Sequence, residues 1–152
     1  MSIKPLIYRS TDAGAPQLTG QAGSLVAVLD AVLVNGYGVG VDAKAPAGWT
    51  LEFSGTNKRV YRNSVTHGTG TYLRVDEGMT GVDGGVNPCP TNAQQVAGGY
   101  VLKSTAVSAP RAWMLVACST YFYLFIDSNG ETASGWAGLP RAPTFCGDFD
   151  SL

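Results

Sequence analysis

Between Ser24 and Val34 the chain reads Ser-Leu-Val-Ala-Val-Leu-Asp-Ala-Val-Leu-Val, and Asn35-Gly36 follows. At a helical period Leu25, Val28, Leu29, Val32 and Leu33 fall at i, i+3, i+4, i+7 and i+8, one apolar stripe. Val26 and Val34 widen the stripe, and Asp30 stands on the other side. Ser24 is placed to cap the first turn, because its hydroxyl can accept from amides that lack a partner inside the helix. Asn35-Gly36 is placed to end it, since both residues tolerate the left-handed conformation. Burying such side chains is worth roughly 1.5–3 kcal/mol each. The stripe as a whole therefore rivals the net stability of a domain, about 5–15 kcal/mol. No other stretch carries this pattern, so the chain is expected to hold one core helix, residues 24–35, against a body of another kind.

That body reads as strands. Residues 3–8 predict a short first strand, which Pro5 confines to a sheet edge or a strand start. Residues 10–23 are small, turn-forming and aperiodic, a loop leading into the helix. Trp49–Phe53 alternates apolar and polar residues, as do Lys58–Arg62 and Thr71–Asp76, with turn residues between. These three predict an antiparallel meander. Gly98–Lys103 predicts another short strand. Ala112–Ala117 and Tyr121–Ile126 are rich in aromatic and β-branched residues and nearly continuous in apolarity. They predict a hairpin at the centre of a sheet with both faces covered. Phe145–Phe149 predicts a last edge strand. With 152 residues the chain has the length of one domain, residues 1–152. The expected class is α+β: a mainly antiparallel, β-sandwich-like fold around one helix.

Several functions are disfavoured. Net charge is −1 and the cations are scattered, whereas a phosphate-backbone binder needs them clustered. No run approaches the length of a membrane span, and the N-terminus lacks a signal-peptide pattern. The three cysteines, Cys89, Cys118 and Cys146, are odd in number and lack metal-site spacing, which predicts free thiols and cytoplasmic manufacture, with one long-range disulfide and a leftover thiol as the lesser alternative. Charged residues make up only 14% of the chain, against about 25% in an average protein. With twenty glycines beside it, that deficit fits a turn-rich β protein or a surface partly covered by partners.

The candidate chemistry is sparse. His67 is the only imidazole and lies where a hairpin tip is expected, so a surface role outweighs a general base there. Asp76, Glu77 and Asp83 lack the spacing of a calcium loop. The alternating Gly36, Gly38 and Gly40 trail a helix instead of opening one, which makes a connector the better reading than a phosphate cradle. Asp148 and Asp150 read as solvated edge charges. Trp49, Trp113, Tyr121, Tyr123 and Phe125 suit a sheet core better than a sugar-stacking platform. Trp136, alone in a Gly-rich stretch, is the best exposed aromatic; Asp127 and Asn129 are polar groups that would stand beside it in a partner contact. No metal or cofactor is expected, and no catalytic activity.

Taken in order, several segments are distinctive: Gly14–Leu25, Leu29-Asp30-Ala31, Val34–Gly38, Gly48-Trp49, Phe53–Lys58, Val60-Tyr61-Arg62, Tyr72–Asp76 and Phe145–Asp148. On these the chain resembles a family of virion structural proteins of tailed bacteriophages. The match covers most of the chain and is clearest before Asp76. The resemblance implies a homo-oligomeric accessory component of the tail or of the head surface, made in the bacterial cytoplasm and carried in the virion. Its partners would be copies of itself and other virion proteins. The family brings no catalytic residues to carry over. The alternative is a carbohydrate-binding adhesion module of the virion, contacting host-surface glycan through Trp136, Asp127 and Asn129. The long stretches 77–95 and 131–144 would carry subunit contacts.

Overall fold

The computed structural model describes residues 4–77, the backbone of 98–102, and residues 110–127 and 144–148. Its strands are β1 (Leu6–Arg9), β2 (Thr50–Gly55), β3 (Lys58–Arg62), β4 (Tyr72–Asp76), β5 (Gly98–Leu102), β6 (Trp113–Ala117), β7 (Tyr121–Ile126) and β8 (Thr144–Gly147). They form two four-stranded sheets, β1-β6-β7-β8 and β2-β3-β4-β5. The helix and the inward faces of both sheets share one apolar core. The architecture is the mainly antiparallel α+β fold that the alternation and the single stripe predict.

The details follow the local chemistry closely in places. Strand β3 has the expected bounds, and β2-β3-β4 is the expected antiparallel meander. Pro5 stands just before β1, which is the edge strand of its sheet. The apolar β6-β7 hairpin is central and β8 lies at the other edge. One pairing departs from the antiparallel rule: β5 runs parallel to β4. A parallel partner needs a crossover of a dozen residues or more, and the long sequence between these strands has that length.

Two strands are exposed differently from expectation. Strand β2 is largely exposed instead of half-buried. The buried residue of that segment is Trp49, just before the strand, and a register shift between Leu51 and Phe53 breaks the alternation. In β6 and β7 the two faces differ. Trp113, Leu115, Ala117, Phe122 and Leu124 are buried, whereas Met114, Val116, Tyr121, Tyr123 and Phe125 are only partly covered. Near-continuous apolarity thus marks one core face and one half-open face among the described residues.

The helix begins as α1 (Ser24–Leu29) and continues as a π-helical turn over Asp30–Asn35. Leu25, Val28, Leu29, Val32 and Leu33 are all buried, as the stripe requires. The amide of Gly36 donates to the carbonyl of Ala31 at 2.8 Å, a bond one residue wider than an α-turn. Gly36 then ends the helix at φ 74°, and a Cβ there would stand 2.5 Å from the Lys44 carbonyl oxygen. The glycines after it serve the same close approach. A Cβ on Gly38 would meet the Asp42 carbonyl oxygen at 2.6 Å, so this run folds a connector back on itself.

The start of the helix corrects the sequence reading. Ser24 is buried and makes no capping bond; its hydroxyl has no partner among the described residues. The residue before it, Gly23, is left-handed (φ 92°), so the serine is already inside the first turn. The open amides are taken by Glu77, at the end of β4. Its Oε1 accepts from Leu25 at 2.6 Å and Val26 at 3.3 Å, and its Oε2 accepts from Gly23. A carboxylate also suits the positive end of the helix dipole.

Candidate functional site

The helix and the β2-β3 hairpin flank an open groove. Its inner floor is set by Asp30, which the widened helix turn directs at the sheet. Asp30 Oδ1 accepts a 2.8 Å hydrogen bond from the Tyr61 hydroxyl. The Arg59 Nε donates to Oδ1 at 3.2 Å and Oδ2 at 3.0 Å. Arg59 Nη1 donates to the carbonyl oxygens of Gly55 and Lys58, both at 2.8 Å. Burial, then the Asp30 charge beside it, raises the Tyr61 hydroxyl above its ordinary range, so it stays a donor. Asp30 is therefore not on a solvent-facing side of the helix as the stripe suggests. It is the centre of a fixed polar cluster.

Above this cluster lie Ala27, exposed on the helix, and Ser54, Thr56 and Asn57 at the hairpin tip. The groove has a volume of about 560 Å³. Asn57 makes the turn in the left-handed region (φ 56°), which asparagine tolerates better than most residues. Among the described residues the side chains of Ser54, Thr56 and Asn57 find no hydrogen-bond partner. Only the spacing of β2 and β3 was visible in the sequence. The Asp30–Arg59 pair spans 29 residues, and no local pattern announces it.

A second polar cluster joins the two sheets. Asp148, just past β8, receives hydrogen bonds from the β3-β4 loop. Its Oδ2 accepts from the Thr69 amide (2.7 Å) and Asn63 Nδ2 (2.9 Å). Its Oδ1 accepts from the hydroxyls of Thr69 (2.6 Å) and Thr71 (3.2 Å). It is thus a tie between sheets, not the solvated edge charge expected. Partial burial pushes this carboxyl up, but the bonds from Thr69, Asn63 and Thr71 outweigh it and hold it below the ordinary carboxylate range. A depressed folded-state value means stability that is complete above the unfolded-state range. It is lost as pH falls through the lower folded-state value. We predict that Asp148→Ala costs about 1–2 kcal/mol at neutral pH. The gap to the parent should close on acidification below about pH 4, the ordinary aspartate range. Urea melts at several pH values check this, and a gap that stays constant would count against it.

His67 lies on that same β3-β4 loop and is exposed. Its Nδ1 is 3.3 Å from Ser64 Oγ. That hydroxyl also accepts the amides of Thr66 (3.2 Å) and His67 (3.1 Å). Both lone pairs of the serine are then engaged in the turn, which leaves no free pair for attack on a substrate. Asp148 bonds to Thr69 and not to the imidazole, so serine, histidine and aspartate do not form a relay. Asp76 is buried beside Lys58 (3.6 Å) and Arg74 (3.4 Å), and Glu77 caps the helix. Asp83 lies outside the described residues.

Of the residues singled out for partner contact, Asp127 sits half-buried after β7, where its amide donates to the Ala112 carbonyl (2.8 Å). Trp136 and Asn129 lie outside the described residues. So do most of the two long stretches expected to carry subunit contacts. Trp49 and Trp113 are core residues: Trp49 Nε1 donates to the Cys118 carbonyl (2.8 Å) and its ring meets Phe122 at 5.5 Å. Tyr121, Tyr123 and Phe125 take the other course and lie on the half-open face of the sheet. Cys118 and Cys146 are free thiols, and burial pushes Cys146 up to about 12.

The half-open face carries a row of partly covered apolar side chains. The register puts Ile7, Val116, Tyr123 and Phe145 in one row across β1, β6, β7 and β8. Tyr121 and Tyr123 pack edge to face at 5.9 Å, and Phe145 lies 5.0 Å from Tyr123. Beyond β1, the connector after the helix exposes Val39 and Val41 almost completely. It is anchored there by the Tyr8 hydroxyl on the Ala45 carbonyl (2.8 Å) and by Lys44 near Asp12 (3.8 Å). Comparison with protein-family models, with curated proteins and with solved structures finds no match for this chain.

Proposed function

We propose that the chain is a structural protein of a tailed-bacteriophage virion, a homo-oligomeric accessory component of the tail or of the head surface. The observation that carries the self-association is the row Ile7–Val116–Tyr123–Phe145 on the half-open sheet face. Such a face is what interface cores are made of: aromatic and aliphatic, with charge depleted. A second copy is its natural occupant. The row carries no charge that would select an oppositely charged partner, and a two-fold contact pairs a patch with itself. Val39 and Val41 are further exposed apolar side chains, on the connector after the helix. Ser64 and His67, bonded to each other within one turn, and the occupied acids Asp76 and Glu77 suit a non-catalytic role. The resemblance to phage virion proteins supplies the setting: synthesis in the bacterial cytoplasm, then incorporation among other virion proteins.

Light scattering on the purified chain tests this. The expected result is a mass of several copies, and Tyr123→Glu should reduce it to one copy with the circular dichroism unchanged. Particles assembled with the variant should carry less of the protein. A parent chain that stays monomeric at high concentration and does not co-sediment with particles would overturn the reading.

A further inference from the structure

We propose that the groove between the helix and the β2-β3 hairpin is a carbohydrate site, taking one or a few neutral sugar rings. The reading does not depend on self-association and assigns glycan contact to residues other than Trp136, Asp127 and Asn129. Three observations converge on it. The first is size: about 560 Å³ lies within the range of small-ligand pockets, roughly 300–1,000 Å³. The second is charge. Asp30 and Arg59 pair at 3.0 Å and cancel, so neither an anion nor a cation finds a net opposite charge there. The helix amides that would attract an anion are already held by Glu77.

The third observation is the arrangement of unfilled hydrogen-bonding capacity. Arg59 is fixed through Nε and Nη1, which leaves the N–H groups of Nη2 without a partner among the described residues. Asp30 Oδ2 accepts only from Arg59 and keeps a further lone pair. A donor and an acceptor therefore stand side by side on a rigid base. Adjacent hydroxyls of a sugar ring match such a pair, because one can accept while its neighbour donates. Ser54, Thr56 and Asn57 add hydroxyl and amide groups on the opposite wall, also without side-chain partners among the described residues. Ala27 gives an apolar strip for the C–H face of a ring.

The test is an NMR titration of the full chain with methyl glycosides of glucose, galactose, N-acetylglucosamine and rhamnose, with sodium phosphate and putrescine as charged controls. The expected result is saturable movement of the amides of Ala27 and residues 54–59 for at least one glycoside, with Kd on the order of 1 mM. Ala27→Tyr fills the groove from an exposed helix position and should weaken binding about tenfold or more. Asn57→Gly keeps the left-handed turn, removes the amide, and should weaken binding about threefold to tenfold. Spectra of the unliganded variants establish that each is folded. Absence of movement with every glycoside would overturn the proposal. So would movement centred on Tyr121 and Tyr123, or phosphate or putrescine producing the same shifts as the sugars.

Discussion

Glu77→Ala is expected to destabilise the protein by about 3–5 kcal/mol, a large part of a typical net stability of about 5–15 kcal/mol. The reason is the number of donors it leaves behind. The amides of Gly23, Leu25 and Val26 all point at this one side chain, which is itself buried. Each buried amide without a partner costs about 1–3 kcal/mol, and the favourable charge at the helix start disappears as well. Glu77→Gln separates these effects. Its oxygen can still accept from Leu25 and Val26, but its amide group meets the Gly23 amide donor to donor. It should therefore fall between parent and alanine. Denaturant melts of the three proteins give the order, and a loss under about 1 kcal/mol for Glu77→Ala would show that water replaces the carboxylate.

That same residue shows where local sequence patterns stop being informative. The stripe from Leu25 to Leu33 was legible because helical burial repeats every few residues, and all five members are in the core. Gly36 was legible as the stop because a left-handed residue is needed next to the last turn. The start was not legible. A serine before an apolar stripe looks like a cap, yet the acceptor comes from over fifty residues away along the chain. Strands were visible for the same reason as the helix, since alternation is local. Which of their faces is closed depends on the neighbouring layer, so β2 and the outer side of β6-β7 came out more open than their apolarity suggests.

The candidate sites divide in the same way. The bland reading of the alternating glycines was available from their position after the helix, and the close approaches at Gly36 and Gly38 agree with it. The groove was not available. Asp30, Asn57 and Arg59 belong to separate elements, and their convergence depends on how the helix crosses the hairpin. Asp148 was misread because four donors from a distant loop convert an apparent edge charge into a tie. In each case the missing information is the docking of one element on another, which a short window of residues does not contain.

Trp113→Ala should be the other severe change, costing about 3–5 kcal/mol. Trp113 heads the fully buried side chains of the core, with 1% of its surface exposed. It also organises the segment that leads to the helix. Its indole Nε1 donates to the Pro16 carbonyl (3.0 Å), its amide to the Ser10 hydroxyl (3.2 Å), and its carbonyl accepts the Ser10 amide (2.9 Å). Alanine keeps the two backbone bonds but opens a cavity and leaves the Pro16 carbonyl without its donor. Trp113→Phe keeps most of the volume and loses only the indole bond, so it should cost clearly less, about 1–2 kcal/mol. If the two variants melt together, the loss comes from the Pro16 bond and not from packing. If alanine is tolerated within about 1 kcal/mol, the segment from Ser10 to Pro16 has closed over the cavity.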